Sequence, residues 1–217
     1  MSGFLNEDDK LLCLERELRA EGFSFIAGVD EAGRGPLAGP VAAAAVCFPP
    51  GARVPRVFDS KQVTEADRLE MREAILSVPG VQYAVVFGSV EDIDRWNILQ
   101  TNDRAMYAAV LQLEQVDFLL IDGRPVPHMP YPSKAVVGGD AKSASIAAAS
   151  ILAKTARDDA MIELDRLYPE YGFAEHKGYG TAAHLEALRR LGPCPAHRKS
   201  FSPVREMLSP YEQTELF

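Results

Sequence analysis

The chain reads FSFIAGVDEAGRGPLAGPVAAAAVCF from residue 23 to residue 48, and two apolar segments in this stretch enclose a glycine-rich loop. Short apolar runs bounded by turn residues are typical of buried strands. We therefore predict strands over residues 23–30 and 41–48, joined as a hairpin by the loop at residues 32–40. This pair of strands is the expected centre of the fold.

Helical and strand patterns alternate along the rest of the chain. Apolar residues three and four positions apart predict helices, and Thr64 followed by Asp67 predicts a capping box at the start of one of them. The predicted helices cover residues 7–21, 64–77, 98–115, 143–168 and 180–191, and the further predicted strands cover residues 81–90, 118–122 and 135–137. This alternation predicts an α/β fold with a central mixed β-sheet flanked by helices, followed by a helical C-terminal region.

Composition excludes several classes of protein. The 217 residues are 47% hydrophobic and 25% charged, a balance that lets one domain bury its core without disulfides. The three cysteines, Cys13, Cys47 and Cys194, include no CxxC pair, which argues against a disulfide framework or a zinc ribbon and favours a reducing compartment. There is no apolar run of membrane-spanning length and no signal-peptide pattern, so we expect a cytoplasmic protein without a membrane partner.

The net charge of −8, with a pI near 5.1, argues at first against a protein that binds nucleic acid. The charge is unevenly distributed, however. Residues 1–31 and 206–217 hold an excess of acids, whereas residues 172–205 carry six basic and two acidic residues together with three histidines. The C-terminal region is therefore basic enough to meet a phosphate backbone.

Four acids lie where strands end or where a helix begins. Asp30 and Glu31 end the first apolar strand, where open sheets place their active sites, Asp122 ends a second strand, and Asp140 precedes the long helix. Neighbouring carboxylates repel each other, so such a group is costly without a cation. Carboxylates suit Mg²⁺, and two such ions can stabilise both the attacking and the leaving oxygen of phosphodiester hydrolysis. Two alternatives stay open: Asp140 as a helix cap, and Asp122 in a plain turn.

The glycine-rich loop contains Gly33, Arg34 and Gly35, whose backbone N–H groups can approach a ligand closely. It lacks the Gly-Lys pair of a Walker A loop and the spacing of a Rossmann fingerprint. The loop therefore favours a substrate backbone over a mononucleotide. A tight hairpin turn without a ligand is the alternative.

The motifs of the chain resemble, in order, those of the bacterial ribonuclease HII family. They are DEAGRGPLAGP at 30–40, DSK at 59–61, IDG at 121–123, GDAKS at 139–143, AAASILAK at 147–154, HKGYGT at 176–181 and GPCP at 192–195. The resemblance covers about residues 23–205 and implies a ribonuclease H-like fold. It also implies hydrolysis of the RNA strand of RNA–DNA hybrids, and incision 5′ of ribonucleotides embedded in duplex DNA that leaves 3′-hydroxyl and 5′-phosphate ends.

By position, the resemblance assigns the metal-binding catalytic acids of the family to Asp30, Glu31, Asp122 and Asp140. It implies that two divalent ions, Mg²⁺ or Mn²⁺, take part in the active complex.

The resemblance also implies residues that bind the substrate. Gly33, Arg34 and Gly35 match the loop that reads the ribose 2′-hydroxyl, the group that separates RNA from DNA. Tyr179 matches a tyrosine that stacks on the sugar of the following deoxynucleotide, and the nearby Tyr171 stays open as the alternative.

Lys61, Lys142 and Ser143 lie in matching motifs and are candidates for contacts with backbone phosphates. Ordinary surface charge for the lysines, and a helix-capping hydroxyl for Ser143, are the alternatives.

The resemblance and the patterns together divide the chain into four parts. We expect an N-terminal helix in residues 1–22, a ribonuclease H-like catalytic domain in 23–168, a helical substrate-binding region in 169–205 and a flexible tail in 206–217. The expected partners are RNA–DNA hybrids and duplex DNA that contains ribonucleotides, and the expected state is a monomer.

The last five residues resemble the Gln-x-x-Leu-Phe pattern by which short peptides dock on bacterial sliding clamps. Leu216 and Phe217 would fill an apolar pocket, and Gln213 would form a hydrogen bond at its rim. A frayed tail, or packing of Phe217 on the body, is the alternative.

Two other functions are weighed against the hybrid-specific nuclease. A junction resolvase of the same fold would also need clustered acids, but it has no use for a loop and a tyrosine that address a 2′-hydroxyl. A non-catalytic RNA-binding protein would keep the basic region but has no use for the acids at 30 and 31.

Overall fold

The computed structural model describes residues 3–6, 8–57 and 63–208. Its strands are β1 (Ile26–Ala32), β2 (Val41–Cys47), β3 (Gln82–Gly88), β4 (Phe118–Asp122) and β5 (Ser133–Val136). Its α-helices are α1 (Cys13–Ala20), α2 (Glu65–Leu76), α3 (Val90–Leu111), α4 (Ala144–Leu167), α5 (Phe173–His176), α6 (Ala182–Leu191) and α7 (Val204–Leu208). Three short 3-10 turns, Lys10–Leu12, Gly139–Ala141 and Pro169–Tyr171, complete the elements.

The strands of the described chain form one mixed sheet in the order β3-β2-β1-β4-β5. The pairs β3–β2 and β2–β1 are antiparallel, whereas the pairs β1–β4 and β4–β5 are parallel. Strand β1 lies in the centre and is followed directly by the glycine-rich loop. The predicted hairpin and the predicted mixed sheet are both confirmed.

Alternation along β2 distributes its side chains to two cores. Ala44 and Val46 face the core built with α2 and α4, while Ala43, Ala45 and Cys47 face the core built with α3. Successive side chains of a strand point to opposite faces, so an all-apolar strand is buried on both sides. The result is a sheet covered by helices on both faces.

Small residues let α4 lie close against the centre of the sheet. A Cβ atom on Gly28 of β1 would lie 2.0 Å from the backbone carbonyl carbon of Ser145, so only glycine fits there. The alanines of α4 at positions 147–149 are fully or almost fully buried against the same layer. This close approach fixes the first turns of α4 beside the carboxyl end of β1.

One helix begins earlier than its pattern predicts. Helix α3 starts at Val90 because the Ser89 hydroxyl accepts the backbone N–H of Asp92, and β3 therefore ends at Gly88. The helix is kinked at Asn97, whose φ is 66° and whose side chain accepts the N–H groups of the next turn. The apolar pattern from residue 98 onward marks only the part after this kink.

Other predicted elements agree with the structure. The Thr64–Asp67 capping box opens α2, and the long helix predicted over residues 143–168 is α4. In the described parts of the chain, none of the helices is long and apolar enough to cross a membrane.

Candidate active site

The parallel pairing of β1 and β4 brings three of the candidate acids to one edge of the sheet. Val29 is paired with Ile121, so the next residues, Asp30 and Asp122, lie side by side at the carboxyl ends of neighbouring strands. Together with Glu31 they line a cleft of about 540 Å³. The same cleft is lined by the glycine loop, Gly33–Gly35, and by Tyr179.

Asp30 is the most buried acid of the cleft, with 5% of its surface exposed. Its carboxylate accepts the backbone N–H of Glu31 at 2.7 Å and a hydrogen bond from the Ser150 hydroxyl. Burial raises the pKa of Asp30 well above its usual value, and the nearby charges of Glu31 and Asp122 raise it further. The hydrogen bonds from Ser150 and the Glu31 N–H therefore do not offset the burial of Asp30 and the negative charges beside it.

The other two acids of the cleft are fixed by neighbouring groups. Glu31 accepts a hydrogen bond from the Arg34 guanidinium at 3.1 Å. Asp122 accepts the backbone N–H of Gly139 at 2.6 Å, which joins the end of β4 to the 3-10 turn at 139–141. Asp122 therefore both bonds the backbone of that turn and lines the cleft.

Asp140 lies on that same 3-10 turn and is 7% exposed. Ser143, not Asp140, is the N-cap of α4, since its hydroxyl accepts the N–H of Ile146. The structure thus rejects the capping alternative for Asp140. The turn places Asp140 next to the residue that binds Asp122.

The donor set fits a hard divalent cation. Among the residues that the structure describes, no three His, Cys, Asp or Glu side chains converge closely enough to hold a metal ion by themselves. Mg²⁺ commonly takes only one or two protein carboxylates and completes its shell with water and substrate phosphate oxygens. The excess negative charge around Asp30 is what such a cation would neutralise.

The glycine loop connects β1 to β2 and also faces the cleft. Gly33 has φ +95°, and a Cβ atom there would lie 1.9 Å from Nε of Arg157, so the residue must be glycine. Among the described residues, a Cβ atom on Gly35 would meet only the Tyr179 ring, at 3.9 Å. The loop is therefore a hairpin connection that presents its second glycine openly to the cleft.

Two buried arginines donate hydrogen bonds to backbone carbonyls of the loop. Arg198 donates to the carbonyls of Gly33 at 2.6 Å, Arg34 at 2.9 Å and Gly39 at 3.0 Å. Arg157 donates to the carbonyl of Pro40 at 3.0 Å. Burial lowers the pKa of Arg198 to about 9, with Arg157 adding to the effect, so its guanidinium stays protonated at neutral pH.

The two candidate tyrosines occupy different environments. Tyr179 is 46% exposed and lies in the cleft beside Gly35. Tyr171 stacks on Phe173 and donates its hydroxyl to the carbonyl of Gly192 at 2.7 Å. Of the two, it is Tyr179 whose ring lines the cleft with the acids.

The three residues predicted to contact phosphates differ in where the structure places them. Ser143 is fully buried, where it caps α4 and donates to Glu15 at 2.7 Å, so this placement supports capping and not a substrate contact. Lys142 is exposed and donates to the carbonyl of Val137 at 2.6 Å. Lys61 lies outside the described residues, as do Gln213, Leu216 and Phe217 of the tail.

Five further residues of the cleft were not singled out from the sequence as site residues: Ala32, Ile98, Ser150, Lys154 and Phe201. Ser150 and Lys154 stand on the motif AAASILAK, one helical turn apart, which was a usable signal. Lys154 also pairs with Asp158 at 2.6 Å. Ile98 and Phe201 are ordinary apolar residues in sequence, and only the tertiary fold brings them to the cleft.

Comparison with known proteins gives consistent matches. The family model described as Ribonuclease HII matches residues 27–204. A ribonuclease HII of Chlamydia pneumoniae is 54% identical over 91% of this chain and 92% of its own length. One of Chlamydia caviae is 55% identical over 89% of this chain and 92% of its own length.

Solved structures show the same fold at lower identity. Ribonuclease H2 of Pyrococcus horikoshii superposes with a TM-score of 0.68 at 24% identity, covering 84% of this chain and 96% of its own. The Archaeoglobus fulgidus RNase HII, solved in a complex with PCNA, gives 0.67 at 22% identity, covering 82% and 95%. Bst-RNase HIII, solved with Mn²⁺, gives 0.63 at 18% identity, covering 85% and 69%. The fold and the full-length matches together show that the chain belongs to the ribonuclease HII family, whose members are RNase H endonucleases acting on RNA–DNA hybrids.

Proposed function

We propose that this chain incises duplex DNA 5′ of embedded ribonucleotides, in addition to cutting the RNA strand of hybrids, by two-metal-ion catalysis. The observation that carries the proposal is the single cleft in which Asp30, Glu31 and Asp122 meet the glycine loop and Tyr179. The three carboxylates can bind the metal ions that hydrolysis needs, and the glycine loop lets a sugar approach its backbone closely. Family membership already sets aside a non-catalytic RNA-binding role.

The acids Asp30, Glu31, Asp122 and Asp140 would hold the divalent ions, Mg²⁺ or Mn²⁺. When bound, such ions lower the pKa of an attacking water and stabilise charge on the leaving oxygen. Ser150 and the N–H of Gly139 orient the Asp30 and Asp122 carboxylates through hydrogen bonds. The presence of Mn²⁺ in the Bst-RNase HIII structure supports a divalent-ion requirement.

Recognition of the ribonucleotide would fall to the loop and the tyrosine. Arg157 and Arg198 donate to carbonyls of the loop and so fix its backbone, and Gly33, Arg34 and Gly35 line the cleft. We assign Gly33, Arg34 and Gly35 to the 2′-hydroxyl and Tyr179 to the sugar of the next nucleotide. The rest of the 169–205 region would bind the duplex, with Lys142 and Lys61 as phosphate contacts.

Gly35→Ala tests this recognition without disturbing the fold. The added methyl group has ordinary contact distance to its surroundings, so we expect unchanged thermal stability. Because the methyl occupies the cleft wall beside Tyr179, kcat/KM on a duplex with one ribonucleotide should fall about tenfold or more. Steady-state cleavage and thermal unfolding check the two expectations. Unchanged cleavage by a folded variant would contradict the assigned role of the loop.

We also propose that the C-terminal tail docks on a sliding clamp through Gln213, Leu216 and Phe217. Support comes from the Gln-x-x-Leu-Phe pattern and from the archaeal RNase HII solved with PCNA. Deleting residues 213–217 should abolish clamp binding in a pull-down or titration while leaving cleavage of free duplex intact, since none of the residues proposed for catalysis or ribonucleotide recognition is removed. Undiminished clamp affinity would refute the proposal.

In the cell we assign the enzyme to removal of ribonucleotides from DNA and of RNA primers, acting as a cytoplasmic monomer. The part of this assignment that concerns ribonucleotides and primers follows from the proposed substrate.

A further inference from the structure

Three histidines pack together behind Tyr179, away from the acids. His184 and His197 are fully buried, and the His176 ring stacks on His184 with a centroid distance of 4.3 Å. The carboxylate chemistry does not use them. The ring nitrogens of His197 and His184 nevertheless form consecutive hydrogen bonds that end at the backbone carbonyl of Tyr179.

The first bond of this set fixes the tautomer of His184. Its Nδ1 lies 2.9 Å from the carbonyl oxygen of Tyr179, which also accepts the N–H of Thr181 at 2.8 Å. A carbonyl can only accept, so His184 Nδ1 must carry the proton. In the neutral ring, Nε2 of His184 is then an acceptor.

The second bond fixes the tautomer of His197. Its Nε2 lies 3.0 Å from Nε2 of His184 and must donate. Its Nδ1 accepts the backbone N–H of Cys194 at 3.0 Å, as an unprotonated nitrogen should, and this contact is shorter than the 3.3 Å from Nδ1 to the Cys194 carbonyl oxygen. The Cys194 sulfur lies 3.2 Å from the same nitrogen and can donate its S–H to it. Every nitrogen of the two rings is thus satisfied with both rings neutral.

An additional proton on Nε2 of His184 would face the His197 N–H across the 3.0 Å contact, and one on Nδ1 of His197 would face the Cys194 N–H at 3.0 Å. Burial lowers the pKa of His184, and burial together with His184 lowers that of His197 to about 4. The titratable groups that face the pair are His176 on α5, Tyr171 on the preceding 3-10 turn and Cys194. At neutral pH the rings therefore remain neutral.

The backbone of His197 is joined to the glycine loop as well. It forms a bridge with Ala38, flanked by a bond from the Gly39 N–H to Ala196 and one from the Arg198 N–H to Leu37. The next side chain, Arg198, holds the carbonyls of Gly33 and Arg34. The segment 196–198 therefore contacts the glycine loop directly and is linked to Tyr179 through His184.

We propose that His197 and His184 form a neutral hydrogen-bond relay that holds Tyr179 at a set distance from the glycine loop. This rests on the proposed function, in which Tyr179 and the loop together recognise the ribonucleotide. His197 is then a positioning residue: it acts on substrate binding through His184 and Tyr179 and touches neither the substrate nor the acids.

The relay itself is tested without any substrate. Two-dimensional ¹⁵N NMR of the wild-type histidine rings at neutral pH should show His184 protonated on Nδ1 and His197 on Nε2, both uncharged. A proton on Nε2 of His184, or a cationic ring in either residue, would overturn the relay. This outcome does not depend on whether the enzyme cleaves the proposed substrate.

The positioning role is tested by two substitutions. His197→Phe keeps the ring but removes both nitrogens, and should raise KM for a duplex with one ribonucleotide about tenfold, the effect of one lost buried hydrogen bond, with a smaller change in kcat. His197→Gln keeps a donor near the position of Nε2 and should restore most of the affinity. Equal losses in both variants, or a loss confined to kcat, would overturn the proposal.

A double-mutant cycle separates positioning from general packing. In a Tyr179→Ala background, His197→Phe should change KM by less than about twofold, since the group it positions is gone. A full, additive tenfold effect there would mean that His197 acts on the fold at large. His128→Asn, on an exposed loop residue, is the control and should match the wild type. If the wild type fails to cut the duplex, the proposed function fails, while the NMR result still decides the relay.

Discussion

Asp30→Asn should abolish metal-dependent cleavage while leaving a folded protein that still binds the hybrid. The substitution keeps the size of the side chain and an oxygen for the Glu31 N–H, but it removes the most buried negative charge of the cleft. A bound divalent ion contributes several kcal/mol of charge stabilisation to the transition state, so the rate should fall by about a thousandfold or more. Single-turnover cleavage with Mg²⁺ and a binding titration measure the two quantities.

The same substitution should stabilise the protein when no divalent ion is present. The pKa of Asp30 is raised in the folded state by burial, Glu31 and Asp122, so folding favours its protonated form. The free energy of folding gained from the protonated Asp30 is fully present below the pKa that Asp30 has in the unfolded chain. It is lost as the pH rises through the higher pKa that Asp30 has in the folded protein. At neutral pH in EDTA, the uncharged Asn should therefore give a higher unfolding temperature than the wild type.

The exposed acid Asp159, on the same helix as Ser150, supplies the control. Asp159 pairs with Arg72 at the surface, so Asp159→Asn should change rate and stability by no more than about twofold and about 0.5 kcal/mol. Retention of more than a tenth of the wild-type rate by Asp30→Asn would remove Asp30 from the catalytic machinery.

Arg198→Met should destabilise the fold by about 3 kcal/mol, which for a chain of this size lowers the unfolding temperature by about 6–12 °C. The guanidinium is fully buried and donates to four carbonyls, those of Gly33, Arg34, Gly39 and Pro40. Methionine fills much of the volume but donates to none of these carbonyls, and of the four the Pro40 carbonyl keeps Arg157 as a donor. Cleavage should fall as well, since the loop loses the contacts that orient it.

Arg198→Lys and Arg166→Met complete this series. A lysine ammonium lacks the planar fork that spans these carbonyls, so Arg198→Lys should give an intermediate loss. Arg166 is exposed on α4, and its substitution should leave the unfolding temperature within about 2 °C of the wild type. If Arg198→Met matches Arg166→Met in thermal unfolding, the carbonyls are satisfied without the guanidinium and the account of the loop is wrong.

The acids could be predicted from sequence because their positions conflict with ordinary packing. Asp30 comes directly after the buried apolar residues of β1, and Asp122 comes directly after those of β4. Charged groups at such places are costly unless they bind a ligand. The parallel pairing of β1 with β4, which brings the two acids side by side, is seen only in the structure.

Other features depend on contacts that no local pattern contains. The role of Ser143 is set by Glu15, which lies 128 residues earlier in the chain and comes beside it only when α1 packs on α4. Arg198 has the local sequence of a surface residue, since arginine is rarely fully buried. The early start of α3 follows from the Ser89 cap, whose signal is weaker than the apolar pattern that begins after the kink at Asn97.

The most direct test of the proposed activity is a map of the cut in a DNA duplex that contains one ribonucleotide, with and without Mg²⁺. We expect a single incision on the 5′ side of the ribonucleotide, dependent on the metal, that leaves a 3′-hydroxyl and a 5′-phosphate. The all-DNA duplex of the same sequence should stay intact. Cleavage without a divalent ion, cleavage of the all-DNA duplex, or products ending in a 2′,3′-cyclic phosphate would contradict the account.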